Sequence, residues 1–527
     1  MSKVLITDKI NDLAVKIVSE AAKVDNLPTM DEDKLCEIIG EYDAILVRSQ
    51  TKLTAKVIEK ANKLKIIARA GVGVDNIDIA AATQKGIIVV NSPDGNTHAA
   101  AEHTIAMMLS MARNIPEANS SVKKGLWERS KFTGVEVYNK TLGIIGLGKI
   151  GSHVANVALT LGMKVVVCDP YANKEIVERI GAQYIEHFDD FWPLCDFITI
   201  HTPKTKETTG LINTNTINRM KKGVRIINCA RGGIIDENAL AKALESAQVA
   251  QCAIDVYEDE KNVSQSPLIN FSKNAILTPH LGASTDEAQI NVAIDVAQQV
   301  VDVLEGKNAT SAINIPALKP QKLEAVKDYM DLAQTLAEFA SQLSEGAPKE
   351  INIIVSGLLA KLDVSPLEIA ILKGVLSANM VGINYVNAPI IAKQRGIETK
   401  TIKTNDTQNA ISLTIKTSNK TTTIKGDLIA KSIKRIVELN SYTVAIEPRK
   451  HMLLVPHINK PNMVASVAGV LGSNNVNISA MLVAQNNTLD KSIMVFSVDS
   501  KVDEQTLDKI NSIEGVDNPK CINLSNA

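Results

Sequence analysis

Three glycines at a fixed spacing occur in the segment Gly146-Leu147-Gly148-Lys149-Ile150-Gly151, between an apolar run and a helical pattern. Gly146 permits a tight turn, Gly148 lets a pyrophosphate approach the backbone, and Gly151 lets the helix pack on the preceding strand. The N-terminus of that helix then faces the phosphates. The segment therefore predicts a dinucleotide-binding loop, with contacts from Gly146, Gly148, Lys149, Ile150 and Gly151.

Asp169 ends the next predicted strand, roughly 20 residues further on, which is the spacing that suits a ribose hydroxyl. A carboxylate accepts a hydrogen bond from the 2′-hydroxyl of NAD and repels the 2′-phosphate of NADP. Pro170 and Tyr171 follow, so no adjacent arginine could receive a phosphate. The sequence favours NAD; without a dinucleotide, Asp169 is an exposed acid at a strand end.

Strands and helices alternate through the first part of the chain, which indicates a parallel α/β sheet. Ligands of such sheets bind outside the carboxyl ends of the strands. Predicted strands end at His201-Thr202-Pro203, Asn228-Cys229-Ala230, Ile254-Asp255-Val256 and Thr278-Pro279-His280. We expect these segments to lie around the bound ligands.

The composition excludes several classes of protein. The 527 residues suggest three or four domains, and a net charge of −1 with 3% aromatic residues argues against nucleic-acid binding. The start lacks a signal-peptide pattern and no apolar run could span a membrane. Cysteines never form C-x-x-C and histidines never form H-x-x-x-H, so we expect a cytoplasmic protein without a metal site.

Four further motifs carry a family resemblance. They are Ala70–Asn76, Asn228–Gly233, Asp255–Glu260 and Thr278–Gly282. With the glycine loop, they resemble the D-isomer-specific 2-hydroxyacid dehydrogenases. The likeness continues at Val47-Arg48-Ser49 and into the C-terminal regions, and is greatest to the long members with an intervening domain and a terminal ACT domain.

The resemblance implies an α/β fold with two Rossmann-like, doubly wound parallel-sheet domains, then a mixed α+β intervening domain and a ferredoxin-like ACT domain. The last segment of the chain independently predicts the order βαββαβ, which is ferredoxin-like. The predicted domains are residues 1–97 with 283–317 for substrate, 98–282 for NAD, 318–450 intervening, and 451–527 for regulation.

Three residues in this order suit the oxidation of a 2-hydroxy acid. His280 is the predicted base for the hydroxyl proton, and Glu260 would orient its ring and stabilise the imidazolium. Arg231 offers a planar fork for the carboxylate. Outside this context, His280 would be a packing histidine and the other two surface charges. The family usually has proline after the glutamate, where this chain has Lys261; the family register selects Glu260 over Glu258 and Asp259.

The resemblance implies NAD-dependent oxidation of 3-phospho-D-glycerate to 3-phosphohydroxypyruvate, the first step of the phosphorylated route to serine. Open alternatives are another 2-hydroxy acid, such as glycerate or 2-hydroxyglutarate, or an NAD-sensing scaffold without catalysis. The remaining cofactor contacts that it implies are His201, Thr202, Pro203, Cys229, Ala230, Arg231, Asp255, His280 and Gly282.

Substrate contacts are implied at Arg48, Ser49, Arg69, Val72, Gly73, Asn96, Arg129, Arg231 and His280. A phosphate calls for arginines or backbone donors, which fits Arg48 and Arg69. Arg69 could instead cap a strand end. Arg129 could reach into a partner subunit of a dimer or tetramer, or be a solvated charge beside Trp127. His103, on a long apolar helix, receives no role.

The terminal domain resembles modules that bind amino acids between paired copies. His457, Asn459 and Asn477 are the predicted contacts for an L-serine effector. The family usually has glycine where this chain has Asn462, which tolerates left-handed backbone but adds bulk. A dimerisation module that senses no ligand is the alternative.

Overall fold

The computed structural model describes residues 1–271, 274–315, 320–430, 432–486 and 491–525. The predicted boundary at residues 317 and 318 lies outside these ranges, and the other domain boundaries stay predictions. In the described part of the chain, no helix combines the length and the apolarity needed to cross a bilayer.

The first sheet contains parallel strands in the order β2-β1-β3-β4-β5. Its central strands are buried on both faces, as in β3, which explains their continuous aliphatic sequences. Helix N-termini are capped by side chains such as Asn11 and Asp31. The elements are β1 Lys3–Ile6, α1 Asp12–Ala21, β2 Lys23–Asn26, α2 Glu32–Ile38, β3 Ala44–Val47, α3 Ala55–Lys60, β4 Ile66–Arg69, α4 Ile79–Lys85 and β5 Ile88–Asn91.

The second sheet follows after two helices and has the order β12-β11-β10-β9-β6-β7-β8, again parallel. The order reverses beside β6, where such sheets bind nucleotides. The elements are α5 Thr97–Ala112, α6 Ile115–Lys123, β6 Thr141–Ile145, α7 Lys149–Thr160, β7 Lys164–Cys168, α8 Lys174–Arg179, β8 Gln183–Tyr184, α9 Phe188–Phe191, β9 Phe197–Ile200, α10 Thr214–Ile217, β10 Val224–Asn228, α11 Glu237–Glu245, β11 Val249–Ile254 and β12 Ala275–Leu277.

The chain then returns to the first sheet through α12 (Asp286–Leu304), which packs against α1. The sequence suggests a strand at Ala312–Ile315, but the structure has only a bridge between Val90 and Ala312. The side chain of Asn314 accepts the Val89 N–H at 2.9 Å, so a second main-chain ladder does not form there.

A mixed sheet follows, in the order β14-β13-β15-β16-β17-β18. Strands β13 and β14 are parallel and the other neighbours antiparallel. The long helix α13 packs on α14 and on this sheet. The elements are α13 Pro320–Leu343, β13 Pro348–Ser356, α14 Ser365–Ser377, α15 Ala388–Gln394, β14 Glu398–Thr404, β15 Ala410–Thr417, β16 Thr421–Ile429, β17 Ile433–Leu439 and β18 Tyr442–Ile446.

The last segment is an antiparallel sheet in the order β20-β21-β19-β22, with two helices on one face. This arrangement is ferredoxin-like, so the predicted βαββαβ order is confirmed. Its other face shares a core with the mixed sheet, through residues such as Met452 and Val495. The elements are β19 His451–Ile458, α16 Met463–Ser473, β20 Ile478–Gln485, β21 Lys491–Val498, α17 Glu504–Asn511 and β22 Lys520–Asn523.

Candidate active site

The glycine loop joins β6 to α7 at the point where the strand order reverses. Gly146 has a φ of +92°, and a Cβ at Gly151 would collide with the Gly146 carbonyl oxygen, so both positions require glycine. Nothing lies within 4 Å of the position that a Cβ of Gly148 would take. The loop therefore leaves space at the N-terminus of α7, where a pyrophosphate fits.

The other predicted cofactor residues surround this loop. Asp169 follows β7, and its carboxylate accepts N–H bonds from Leu147 at 2.7 Å and Tyr171 at 2.8 Å. The buried hydroxyl of Thr202 has no hydrogen-bond partner among the described residues. An open glycine loop, a strand-end acid and an unpartnered hydroxyl fit NAD. Burial lowers the pKa of His201 to about 4, so this ring, bonded to Thr199 at 3.0 Å, is neutral.

His280 and Glu260 form a pair: Nδ1 of the imidazole lies 2.8 Å from Oε1 of the carboxylate. Both side chains are about half exposed, at 48% and 46%. His280 lies in the loop after β12 and has a φ of +55°, which is uncommon for a non-glycine residue. Because Nδ1 is occupied by Glu260, Nε2 is the nitrogen left to face a substrate.

A buried acid holds the loop that contains His280. The main-chain oxygen of Asp255 accepts the His280 N–H at 2.9 Å, and its carboxylate accepts those of Leu281 at 2.8 Å and Gly282 at 2.9 Å. Thr278 donates at 2.6 Å, and Nε2 of His103 lies 3.2 Å away. Burial alone would raise the pKa of Asp255, but the hydrogen bonds, led by that from His103, bring it below the ordinary value.

Asp255 is fully buried, so its carboxylate is committed to this loop. Its predicted contact with the cofactor stays a prediction. Ligand atoms of Asp255, His103 and Cys229 lie within 4.8 Å of one another, as in some metal sites. The carboxylate already accepts hydrogen bonds at both oxygens, and burial raises the pKa of the Cys229 thiol to about 12, which opposes the thiolate that a metal needs.

Arg231 projects across the cleft between the two parallel-sheet domains. Its Nε lies 3.3 Å from Oδ2 of Asp75, and a Cβ at Gly73 would collide with its guanidinium. Glycine at position 73 therefore lets the loop after β4 approach the arginine. The sequence motif contained Asp75 but gave it no role, because only the folded structure places it against Arg231.

Two more arginines lie near this contact. Burial, followed by the nearby positive charge of Arg231 and then that of Arg48, lowers the pKa of Arg69 to about 10. Its buried Nε has no hydrogen-bond partner among the described residues. A largely buried guanidinium with an unpartnered nitrogen, beside other cations, favours the binding of an anion. The loop of Arg48 is held by another buried acid, since Asp8 accepts the N–H of Arg48 at 2.8 Å and of Thr51 at 3.1 Å.

Some predicted residues lie apart from these contacts. Lys149 pairs with Asp94, Ser49 is exposed, and Arg129 is exposed in a 3-10 turn at Arg129–Phe132. Asn96 precedes α5, and its buried Oδ1 has no partner among the described residues, which leaves it available to a ligand.

The predicted effector residues are more dispersed. His457 is 5% exposed, and its Nε2 has no partner in the described part of the chain, whereas Asn459 and Asn477 are exposed. Asn462 has a φ of +70° and precedes α16, so it adopts the left-handed backbone that the sequence allows.

Residues 105–282 match the D-isomer specific 2-hydroxyacid dehydrogenase, NAD binding domain, and residues 325–440 match the D-3-phosphoglycerate dehydrogenase intervening domain. A D-3-phosphoglycerate dehydrogenase of Synechocystis sp. is 46% identical, over 98% of this chain and 94% of that protein. The chain belongs to the D-3-phosphoglycerate dehydrogenase family. That of Methanocaldococcus jannaschii is 41% identical, over 99% and 100%.

Solved structures of the wider family agree with the fold. A D-lactate dehydrogenase from Aquifex aeolicus, complexed with NAD and lactic acid, is 30% identical with a TM-score of 0.53, covering 57% of this chain and 96% of its own. A glyoxylate reductase is 29% identical with a TM-score of 0.56, over 60% and 99%. The predictions of family, fold class and NAD are confirmed.

Proposed function

We propose that this chain oxidises 3-phospho-D-glycerate to 3-phosphohydroxypyruvate with NAD, the first step of the phosphorylated route to serine. The observation that supports this most is the His280–Glu260 pair at 2.8 Å, on the strand-end loops of the NAD-binding domain, with Arg231 in contact with the loop of Gly73. A base and a carboxylate-binding cation are thus available on the same side of the sheet.

The substrate carboxylate binds to Arg231 and to the main-chain N–H groups of Val72 and Gly73. Asp75 at 3.3 Å is the present partner of this guanidinium, and its side chain is largely exposed, so the substrate carboxylate replaces it at little cost. The planar guanidinium can bind both oxygens of the carboxylate, and this bidentate contact orients the adjacent carbon.

His280 removes the hydroxyl proton through Nε2 while the hydrogen on the same carbon leaves as hydride. Bound NAD supplies the hydride acceptor. Glu260 keeps Nδ1 occupied and stabilises the imidazolium that forms. The products are the 2-oxo acid, NADH and a proton that His280 later releases to solvent.

Arg48 and Arg69 bind the phosphate end. Burial of Arg69 disfavours its positive charge, and a bound phosphate offsets this desolvation cost. This pairing selects a phosphorylated acid over glycerate or 2-hydroxyglutarate.

The terminal domain binds L-serine as a feedback effector, through His457, Asn459 and Asn477. The unpartnered Nε2 of buried His457 and the left-handed Asn462 support this role, because a ligand can use the first and the second keeps the turn that glycine usually makes. A module that only pairs copies of the chain would not respond to serine.

The chain forms a dimer or a tetramer. Trp127 is 80% exposed and Leu126 49%, close in sequence to Arg129, and two neighbouring exposed apolar side chains suit a subunit contact. Arg129 would then reach the cleft of the partner.

A substrate panel tests the main proposal. NADH absorbance is followed with 3-phospho-D-glycerate, glycerate and 2-hydroxyglutarate, with NAD and NADP in parallel. We expect turnover of the phosphorylated acid with NAD, and far less with the others. Equal rates with glycerate would refute the phosphate site, and NAD binding without any turnover would identify a sensing scaffold.

A further inference from the structure

Glu237 is a buried carboxylate that the proposed reaction does not use. It is the first residue of α11 and is 7% exposed. Its Oε1 accepts the N–H of Glu258 at 2.7 Å, and its Oε2 accepts the hydroxyl of Ser266. The positive end of the α11 dipole favours its charge. Both oxygens of this acid are therefore committed to one loop.

That loop contains Glu260. Its anchors, Glu258 and Ser266, lie on either side of Glu260 in the sequence, and every residue from Glu258 to Gln265 is exposed. Burial of apolar side chains therefore does little to fix it. Asp259 caps the 3-10 turn at Glu260–Gln265 from within the loop, but that bond is local and cannot place the loop relative to the sheet.

The contact between Glu260 and His280 does little by itself to fix the loop. Glu260 and His280 are both about half exposed, and an ion pair near solvent contributes little to holding two loops together. Lys261 also leaves the loop without the proline that is usual there in the family. Between the buried flanking residues Tyr257 and Leu268, the position of the Glu260 carboxylate then depends on the bonds to Glu237.

We propose that Glu237 is a positioning residue for the reaction: it holds the loop at both ends and so directs Glu260 to Nδ1 of His280. This inference rests on the proposed roles of Glu260 and His280. Loose positioning of an active-site group lowers the rate without weakening substrate binding in proportion.

A double-mutant cycle tests it. We expect Glu237→Ala to lower kcat about 10-fold with the KM values for both substrates within about 2-fold. In a Glu260→Gln background, the same substitution should cost less than about 2-fold, because its effect acts through Glu260. Glu237→Gln keeps one acceptor and should restore part of kcat. Glu245→Ala, an exposed acid at the other end of α11, is the matched control and should have no effect.

A loss of kcat of equal size in both backgrounds would overturn the inference, because it would indicate a general packing defect that does not act through Glu260. Unchanged kcat in Glu237→Ala would overturn it too. Undiminished kcat in Glu260→Gln would instead refute the dyad of the proposed function. If Glu237→Ala does not fold, Ser266→Ala removes one anchor and retains the buried carboxylate. It should lower kcat about 3-fold, and not additively with Glu260→Gln; an additive or absent effect would count against Glu237.

Discussion

The two parallel-sheet domains, here the catalytic half, and the terminal domain, proposed as the regulatory domain, place their proposed functional residues in different ways. In the catalytic half, a buried acid accepts main-chain N–H groups from each of three important loops: Asp8 for Arg48, Glu237 for Glu260 and Asp255 for His280. In the regulatory domain, His457 is buried while Asn459 and Asn477 are exposed. The proposed catalytic residues converge within one chain, whereas the proposed effector residues are divided between the interior and the surface of the terminal domain.

The difference follows from the two kinds of sheet. Parallel strands bring their carboxyl ends, and the loops after them, to one edge. Residues distant in sequence then meet, as Arg231 and Asp75 do across the cleft. An antiparallel ferredoxin-like sheet sends consecutive strand ends to opposite edges, so one copy offers fewer convergent side chains. The catalytic half should therefore be sensitive to single substitutions, and the regulatory domain less so.

The largest effect is expected at His280. His280→Ala removes the proposed base and should lower kcat about 1,000-fold, since a positioned base contributes up to that order. Initial rates of NADH formation measure it. Binding of NAD, followed by quenching of protein fluorescence, should be weakened far less than kcat, because the glycine loop is on separate strand ends and most of the predicted cofactor contacts remain. Retained turnover in this variant would contradict the proposed chemistry.

Removing an arginine that binds the substrate phosphate should have the next largest effect. Arg69→Ala should raise the KM for 3-phospho-D-glycerate about 30-fold, the value of one or two charge-assisted hydrogen bonds, and leave the slow use of glycerate nearly unchanged. Arg179→Ala, an exposed arginine in the last turn of α8, is the control for loss of charge. A similar change for both substrates would mean that Arg69 supports the loop and not the phosphate.

Local patterns located most of the residues that the structure brings together in the candidate site. The glycine loop, Asp169 and the segments of Arg231, Glu260 and His280 are contiguous motifs at strand ends, and the alternation of strands and helices placed them on one edge. The roles of Glu237 and Asp75 could not be predicted in this way. Glu237 follows an ordinary helix cap and contacts a loop that begins 21 residues later, so only the folded backbone makes it an anchor.

The same limit applies to Asp255. The family resemblance implies a cofactor contact for Asp255, and that contact stays a prediction. Its role as an anchor could not be predicted, because side-chain direction depends on where the next loop crosses. In the structure the loop of His280 passes directly over it and takes both of its oxygens. The signal for such an anchor would be an acid at a strand end facing a segment rich in unpaired N–H groups, which the sequence does not display.

A smaller effect is expected in the regulatory domain. If L-serine inhibits through His457, then His457→Ala should raise the half-inhibiting serine concentration about 10-fold, as for one lost hydrogen bond to a charged group, with no change in uninhibited kcat. Serine titrations against the initial rate measure this. His451→Ala, at a partly exposed position on the same strand, is the control. No inhibition at millimolar serine in the unmodified chain would leave the domain as a pairing module.

The smallest expected effect is on stability, at the base of the glycine loop. The pKa of His201 is lowered by burial to about 4, below that of an unfolded histidine near 6.5. As pH falls below about 6.5, the unfolded chain takes up a proton that the folded chain does not, so stability is lost toward pH 4. The loss between pH 7.5 and 5 is about 2 kcal/mol. His201→Gln cannot titrate, so its drop in Tm between these pH values should be smaller by about 4 °C than that of the unmodified chain, measured by calorimetry. Equal drops in Tm for the two proteins would show that His201 is also protonated in the folded protein at pH 5. The glycine loop would then have to tolerate a positive charge at its base.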